Sequence, residues 1–178
     1  MRADARRNYD KVLEAARDAF AERGAETSLE GIARRAGVGI GTLYRHFPTR
    51  QALLEAVYVG EVEQVCRSAE ELMAMDPWEG FSAWTFRLMG YLATKQALAA
   101  ELLDYFDRDS DLFSNCRASL FTAGEPLLAR VQAAGCVRTD TNFAEIVQLV
   151  GGIAKIPTAE PCQREHILEI ALDGLRAR

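Results

Sequence analysis

The sequence predicts an all-α fold, and three observations carry that prediction. Apolar residues recur at helical spacing along nearly every segment. No stretch sustains the alternation or the β-branched enrichment of a strand. Glycine and proline punctuate the apolar runs at intervals of helix length. At 178 residues and 49% hydrophobic content the chain has ample apolar surface for a buried core, as one large domain or two small ones.

The first helix is expected over residues 8 to 23, with Val12, Leu13, Ala16, Ala19 and Phe20 on one stripe and Gly24 as its stop. Thr27, with Glu30 three residues on, reads as a capping box opening a second helix that turns Leu29, Ile32, Ala33 and Ala36 inward. Gly37 supplies a turn. A third helix, residues 40 to 47, ends before Pro48, because proline disfavours helical geometry in the residue ahead of it. Thr49 then caps a long fourth helix, residues 50 to 73, with Leu53, Leu54, Val57, Tyr58, Val62, Val65 and Leu72 at apolar positions. That helix is expected to bridge the two halves of the chain.

A fifth helix begins at Asp76 and Pro77 and carries Trp78, Phe81, Trp84, Phe86, Leu88, Met89, Tyr91 and Leu92; a separate, shorter apolar stretch follows over residues 97 to 106. Residues 107 to 111 read as a solvated loop whose acidic groups sit at the start of a long helix, residues 112 to 134, in keeping with the helix dipole. Pro126 inside that helix removes a backbone donor and presses on the carbonyl of Thr122, so a kink or a break is expected there. Gly135 ends it, and residues 137 to 140 form a connector. The last two helices, residues 142 to 154 and 163 to 176, are separated by Pro157 and Pro161. The first presents Phe143, Ile146, Val147, Val150 and Ile153, the second Ile167, Ile170, Ala171 and Leu175. The total is about nine helices.

Composition excludes several classes of function. No run of about 18 uncharged apolar residues is present, and the first residues mix both charge signs where a signal peptide needs an apolar stretch, so no membrane association and a cytoplasmic location are expected. Cys66, Cys116, Cys136 and Cys162 are scattered, with no C-x-x-C pair and no histidine at ligand spacing; structural thiols are expected, with redox sensing by one of them as the other reading. No metal or other cofactor is expected. No paired carboxylates and no Ser/His/Asp set point to catalysis, and His166 stands alone on the last helix. The net charge of -5 is unevenly distributed: residues 1 to 50 hold 10 basic against 7 acidic residues, the remainder 11 against 19. A basic end on an acidic body suits a protein that touches phosphates at one end.

The segment from Thr27 to Leu54 holds two short helices joined by a glycine turn and followed at once by a third, the layout of a helix-turn-helix DNA reader. In such a unit the second helix enters the major groove, about 12 Å wide. Leu43 and Phe47, four apart, are expected to face the core with Val38. Ile40, Gly41, Thr42, Tyr44, Arg45 and His46 are then left outward, after Gly39 at the N-cap. Gly41 lets the backbone approach DNA, and Thr42 offers a methyl or a hydroxyl to a base. Phosphate contacts are expected from Thr27 and the amides that open the second helix, from Arg34 or Arg35, and from Arg50. Arg6, Arg7 and Lys11 fit either a phosphate-binding arm or a solvated face. The run from Gly37 to Gly41 could suggest a nucleotide loop, but it lacks the G-x-G-x-x-G spacing, a preceding strand and a Walker lysine.

The run Ile32-Ala33 to Ala36-Gly37-Val38, then Gly41, Leu43-Tyr44 and His46-Phe47, resembles the I-A-x-x-A-G-V-x-x-G-x-L-Y-x-H-F signature of the TetR family of one-component transcriptional repressors. Segments from Gly124 to Arg130, Gly135 to Asp140 and Gly151 to Ala154 further resemble the regulatory domain of an SbtR-like subgroup. Two departures stand out: Gly39 replaces a common Ser or Thr cap, and Arg50 replaces a common Lys. Neither departure is costly, since glycine at an N-cap loses only a few tenths of a kcal/mol and arginine still binds phosphate. The resemblance implies that Tyr44 and His46 lie against sugar and phosphate. It implies a DNA-binding domain over residues 1 to 47 and a helical effector-binding and dimerisation domain over 48 to 178. It further implies a homodimer on a palindromic double-stranded DNA operator, released by a small-molecule effector.

Candidate pocket residues are Trp84, Leu88, Met89, Tyr91, Leu102, Phe106, Phe113, Cys116, Arg117 and Phe121, for each of which plain core packing is the competing reading. The expected dimer interface is drawn from Phe143, Val147, Val150, Ile167, Ile170, Ala171, Gly174 and Leu175. Two further functions stay open: a ligand-independent or activating DNA binder, and a helical small-molecule-binding protein without operator binding.

Overall fold

A computed structural model describes residues 2 to 107, 110 to 157 and 161 to 177. These residues are all-α, as expected: α1 (Arg2–Arg23), a 3-10 turn (Gly24–Glu26), α2 (Leu29–Arg35), α3 (Ile40–His46), α4 (Arg50–Leu72), α5 (Pro77–Tyr105), α6 (Asp111–Ala133), α7 (Phe143–Ala154) and α8 (Pro161–Gly174). Among the described residues the extended pairing is limited to an isolated bridge between Val137 and Arg176.

Local chemistry sets most of the boundaries. Thr49 Oγ1 accepts from the Ala52 amide at the start of α4, and Asp76 Oδ1 accepts from the amides of Trp78 and Glu79 at the start of α5. Asn142 and Glu145 form a reciprocal capping box on α7. Gly37 and Gly135 end α2 and α6 at φ 67° and 70°. In both cases the next amide reaches back to the carbonyl five residues earlier, Val38 to Ala33 and Cys136 to Val131, the Schellman arrangement that glycine makes cheap.

Two expectations are corrected, and the break allowed for at Pro126 does not occur. The cap of α2 is Ser28, whose Oγ accepts from the Gly31 amide, because the Thr27 hydroxyl is spent on the Ala19 carbonyl at 2.9 Å. The fifth helix and the stretch 97 to 106 are one 29-residue helix: nothing in Ala93-Thr94-Lys95-Gln96 breaks it, and the buried stripe Tyr91, Leu98, Leu102 runs through the supposed gap. Helix α6 continues unbroken through Pro126. Thr122 and Pro126 are both exposed, while Leu120, Leu127 and Val131 stay on the buried side. Of the loop expected at 107 to 111, residues 108 and 109 lie outside the described residues.

The chain forms two compact units, Met1–Glu61 with Thr94–Ser110, and Val62–Ala93 with Asp111–Arg178. In the first, α1, α2 and α3 pack together and bury Val12, Ala16, Phe20, Ile32, Leu43 and Phe47; the front of α4 adds Leu53, Leu54 and Tyr58, and the end of α5 adds Leu98 and Leu102. Each large apolar side chain among them is worth about 1.5–3 kcal/mol when fully buried. The boundary expected after residue 47 falls inside this unit. The second unit is built around Trp84, whose indole N–H donates to the Val65 carbonyl at 3.2 Å and whose ring centroid lies 5.5 Å from that of Phe143. Its last residues are tied back by Arg138 and Ala177 amides bonding the carbonyls of Leu175 and Cys136, and by the Arg176 guanidinium stacked 3.9 Å over Trp78.

Candidate nucleic-acid interface

Helix α3 is held from behind. Leu43 and Phe47 are buried as expected, Val38 is half-buried, and α3 contacts both α1 and α2. Gly39 occupies the N-cap position in extended geometry with no side-chain cap, consistent with its place in the sequence. On the opposite side Ile40 and Tyr44 are 38% and 44% exposed, which leaves them available to a partner. Gly41 and Arg45 are exposed beside them, and Thr42 and His46 are half-buried. A Cβ at Gly41 would meet nothing within 4 Å, so the absence of a side chain there serves no contact inside the chain.

His46 has a partner that sequence reasoning overlooked. Tyr9 lies edge-on to it, centroids 5.9 Å apart, and packs on Phe47 at 4.9 Å. Tyr9 stands three and four residues ahead of Val12 and Leu13, so the helical period of α1 marks it as part of the same stripe. Its ring orients His46 at the end of α3.

The expected phosphate contacts divide. Arg34 is exposed on α2. Arg35 is paired with Glu22 through two hydrogen bonds of 2.7 and 2.8 Å and lies 3.6 Å from Asp18. That hydrogen bonding holds the Glu22 carboxyl below its ordinary range and raises the guanidinium of Arg35. The pairing fastens α2 to α1. Thr27 is buried with its hydroxyl donated to Ala19, so the side chain faces the core instead of a phosphate. Arg50 likewise turns inward: Nη1 donates to the Thr27 carbonyl, Nε donates to Glu101 Oε1, and Cζ sits 5.2 Å over the Phe20 ring.

The residues assigned to an effector site are spread over both units. Leu102 and Phe106 belong to the first. In the second, Trp84, Leu88, Met89 and Tyr91 are buried on α5, and α6 presents Phe113, Cys116, Arg117 and Phe121 at helical spacing. Arg117 is exposed and its Cζ lies 5.5 Å from the Phe121 ring centroid. Trp84 and Phe121 both contact Phe143, which fits against Gly124 so closely that a Cβ there would fall 2.1 Å from Cζ of Phe143.

The expected dimer residues also separate. Phe143 and Val150 are buried in the chain's own core, because α7 must spend its inward stripe against α5 and α6. Val147, Ile167, Ala171 and Leu175 are half-buried, Gly174 is exposed, and Ile170 is 59% exposed. Leu149, which sequence reasoning passed over, is exposed on α7. Among the described residues no cluster of His, Cys, Asp and Glu is placed to hold a metal ion, and no helix is long and apolar enough to cross a membrane.

Residues 12–57 match the family model described as bacterial regulatory proteins, tetR family, and residues 76–177 match that of the transcriptional regulator SbtR-like C-terminal domain. A crystal structure of a TetR transcriptional regulator from Streptomyces coelicolor is 39% identical, covers 95% of this chain and 98% of its own, and superposes with a TM-score of 0.85. A TetR regulatory protein from Mycobacterium vanbaalenii is 36% identical with a TM-score of 0.79, covering 99% of each chain. An HTH-type transcriptional regulator of Staphylococcus aureus strain MRSA252 is 33% identical over 100 residues, 54% of this chain and 52% of that protein. One from strain USA300 is 44% identical over 54 residues, 30% of this chain and 29% of that protein. The chain thus spans about half or less of the length of these curated relatives.

Proposed function

The chain belongs to the TetR family of transcriptional regulators, and from that premise we propose that it is a repressor, binding a palindromic operator as a homodimer in the cytoplasm and released by a small-molecule effector. The observation that carries the reading is the two-sidedness of α3. Leu43 and Phe47 anchor it, while Ile40, Gly41, Thr42, Tyr44 and Arg45 form a groove-sized outer face with two large apolar side chains left in solvent. Thr42 reads base edges. Tyr44 and His46 lie on the sugar-phosphate backbone, with Arg34, Arg45 and the first amides of α2 fixing the register. Two copies place their α3 helices about 34 to 36 Å apart, one turn of DNA.

The effector acts on the aromatic second unit, where Phe113, Cys116, Arg117 and Phe121 share a face of α6. It can shift operator affinity only by its differential affinity for the two states. The tight seating of Phe143 on Gly124 favours a filled core in that part of the unit, which makes an effector-independent regulator the second reading. It predicts that no ligand changes operator affinity.

The test is selection of bound fragments from a random duplex library at moderate salt. Recovery of a palindrome with half-sites about one helical turn apart supports the dimeric repressor, and its genomic matches lead to the effector class. Recovery of nothing above background removes the operator-binding reading.

A further inference from the structure

We propose that Arg50 is a positioning residue for DNA binding, which sets the start of α2 against α5 instead of contacting phosphate itself; this rests on the DNA-binding reading above. Arg50 opens α4, and its side chain is 22% exposed. Its guanidinium reaches three elements at once: the Thr27 carbonyl just ahead of α2, the Glu101 carboxylate on α5 and the Phe20 ring on α1. Thr27 is fixed a second time through its hydroxyl on Ala19, and its neighbour Ser28 caps α2. The turn at Gly37 then carries the direction of α2 into α3. The Arg50 guanidinium thus adds a polar tie at the start of α2 to the apolar packing of Leu43 and Phe47 that anchors the recognition helix.

Glu101 explains why Arg50 does not swing out to solvent. Its side chain is 8% exposed, and Oε2 has no hydrogen-bond partner among the described residues. Removing Arg50 leaves a buried carboxylate deprived of a cationic partner, a costly arrangement. The rigid fork of arginine can serve a carbonyl and a carboxylate together, which the single ammonium of lysine cannot do in the same geometry.

The experiment compares Arg50→Lys, Arg50→Met and Glu101→Gln in the full chain. Three quantities are read: affinity for the selected duplex, its dependence on salt, and amide hydrogen exchange of residues 28 to 32 in the DNA-free protein. A positioning role predicts that Arg50→Lys and Glu101→Gln each lose about tenfold in affinity, the size of one charge-assisted hydrogen bond, with an unchanged salt slope and faster exchange at the start of α2. Wild-type affinity in Arg50→Lys overturns the proposal. So does a salt slope lowered by about one in Arg50→Met while Glu101→Gln binds undiminished, which is the signature of a direct phosphate contact. Should the wild type bind no duplex, the DNA-binding reading fails, yet the exchange measurement still decides whether the tie exists: unchanged exchange in all three variants overturns it.

Discussion

Each outward side chain of α3 owes its direction to an inward one. Leu43 and Phe47 lock the helix, and Tyr9 holds the His46 ring, so Tyr44 and Thr42 are presented without further ordering. Their roles differ by chemistry. Tyr44→Ala is expected to weaken binding to all duplexes alike, whereas Thr42→Ala relaxes preference at one or two base positions by about 1 kcal/mol, checked by competition with operator variants. Equal loss of specific and non-specific affinity in both variants would contradict that division. At the far edge of the first unit, burial pushes the Glu61 carboxyl above its ordinary range; Arg17 at 3.8 Å pulls it back only in part, and Asp18 opposes that pull. A carboxyl raised in the folded state favours folding below its unfolded value of about 4.5 and loses that contribution as pH rises through the folded value. Glu61→Gln is therefore expected to be more stable than the wild type at pH 7, with the gain vanishing near pH 4. Urea denaturation at the two pH values measures it.

Between elements, the closest constraint sits where α6 crosses α7. Gly124 is buried under Phe143 and Trp84, and an added Cβ would lie 2.1 Å from Cζ of Phe143 and 2.6 Å from Cη2 of Trp84. Gly124→Ala is expected to destabilise the protein by about 1–3 kcal/mol, seen as a drop of several degrees in Tm. An unchanged Tm would mean that the α6–α7 packing is looser than described. Helix ends marked by glycine and the polar cap at Thr49 were legible in the sequence, since a cap involves residues two or three apart, whereas the cap of α2 was read one residue early. The continuity of α5 was less so. Helix-neutral residues between Tyr91 and Leu98 carry no start or stop signal, and only the shared burial of Leu98 and Leu102 closes the gap.

For the molecule as a whole, the uneven charge and the apolar residues left over by the core bear on assembly. Residues 1 to 50 carry an excess of three positive charges on a chain of net -5, so operator binding is expected to weaken as salt rises, through local phosphate contacts. On α8 the chain's own core uses Leu168 and Leu172 and leaves Ile170 59% exposed. If that face meets a second copy, Ile170→Glu is expected to yield monomers in sedimentation and to cost more than about tenfold in operator affinity, as loss of a central apolar anchor does. A variant with wild-type mass and affinity would move the dimer contact elsewhere. The buried positions of Phe143 and Val150 could not be separated from Ile170 by apolar pattern alone, because the period of a helix marks apolar faces without saying whether the covering partner is the same chain or another.

The sequence by itself determined the all-α class, the helix-turn-helix order, the turn at Gly37 and the inward pair Leu43 and Phe47, all of which depend on spacing within a few residues. Tertiary structure decided the assignments that hinge on distant partners. Thr27 could not be told from Ser28 as the cap until Ala19 claimed its hydroxyl, and the partner that Arg50 finds inside the chain, Glu101, lies 51 residues away. Local conformation is governed by backbone sterics and short-range hydrogen bonds, which periodicity and capping residues record. The direction of a long polar side chain is set by whichever buried partner most needs it, and that partner is known only once the chain is folded.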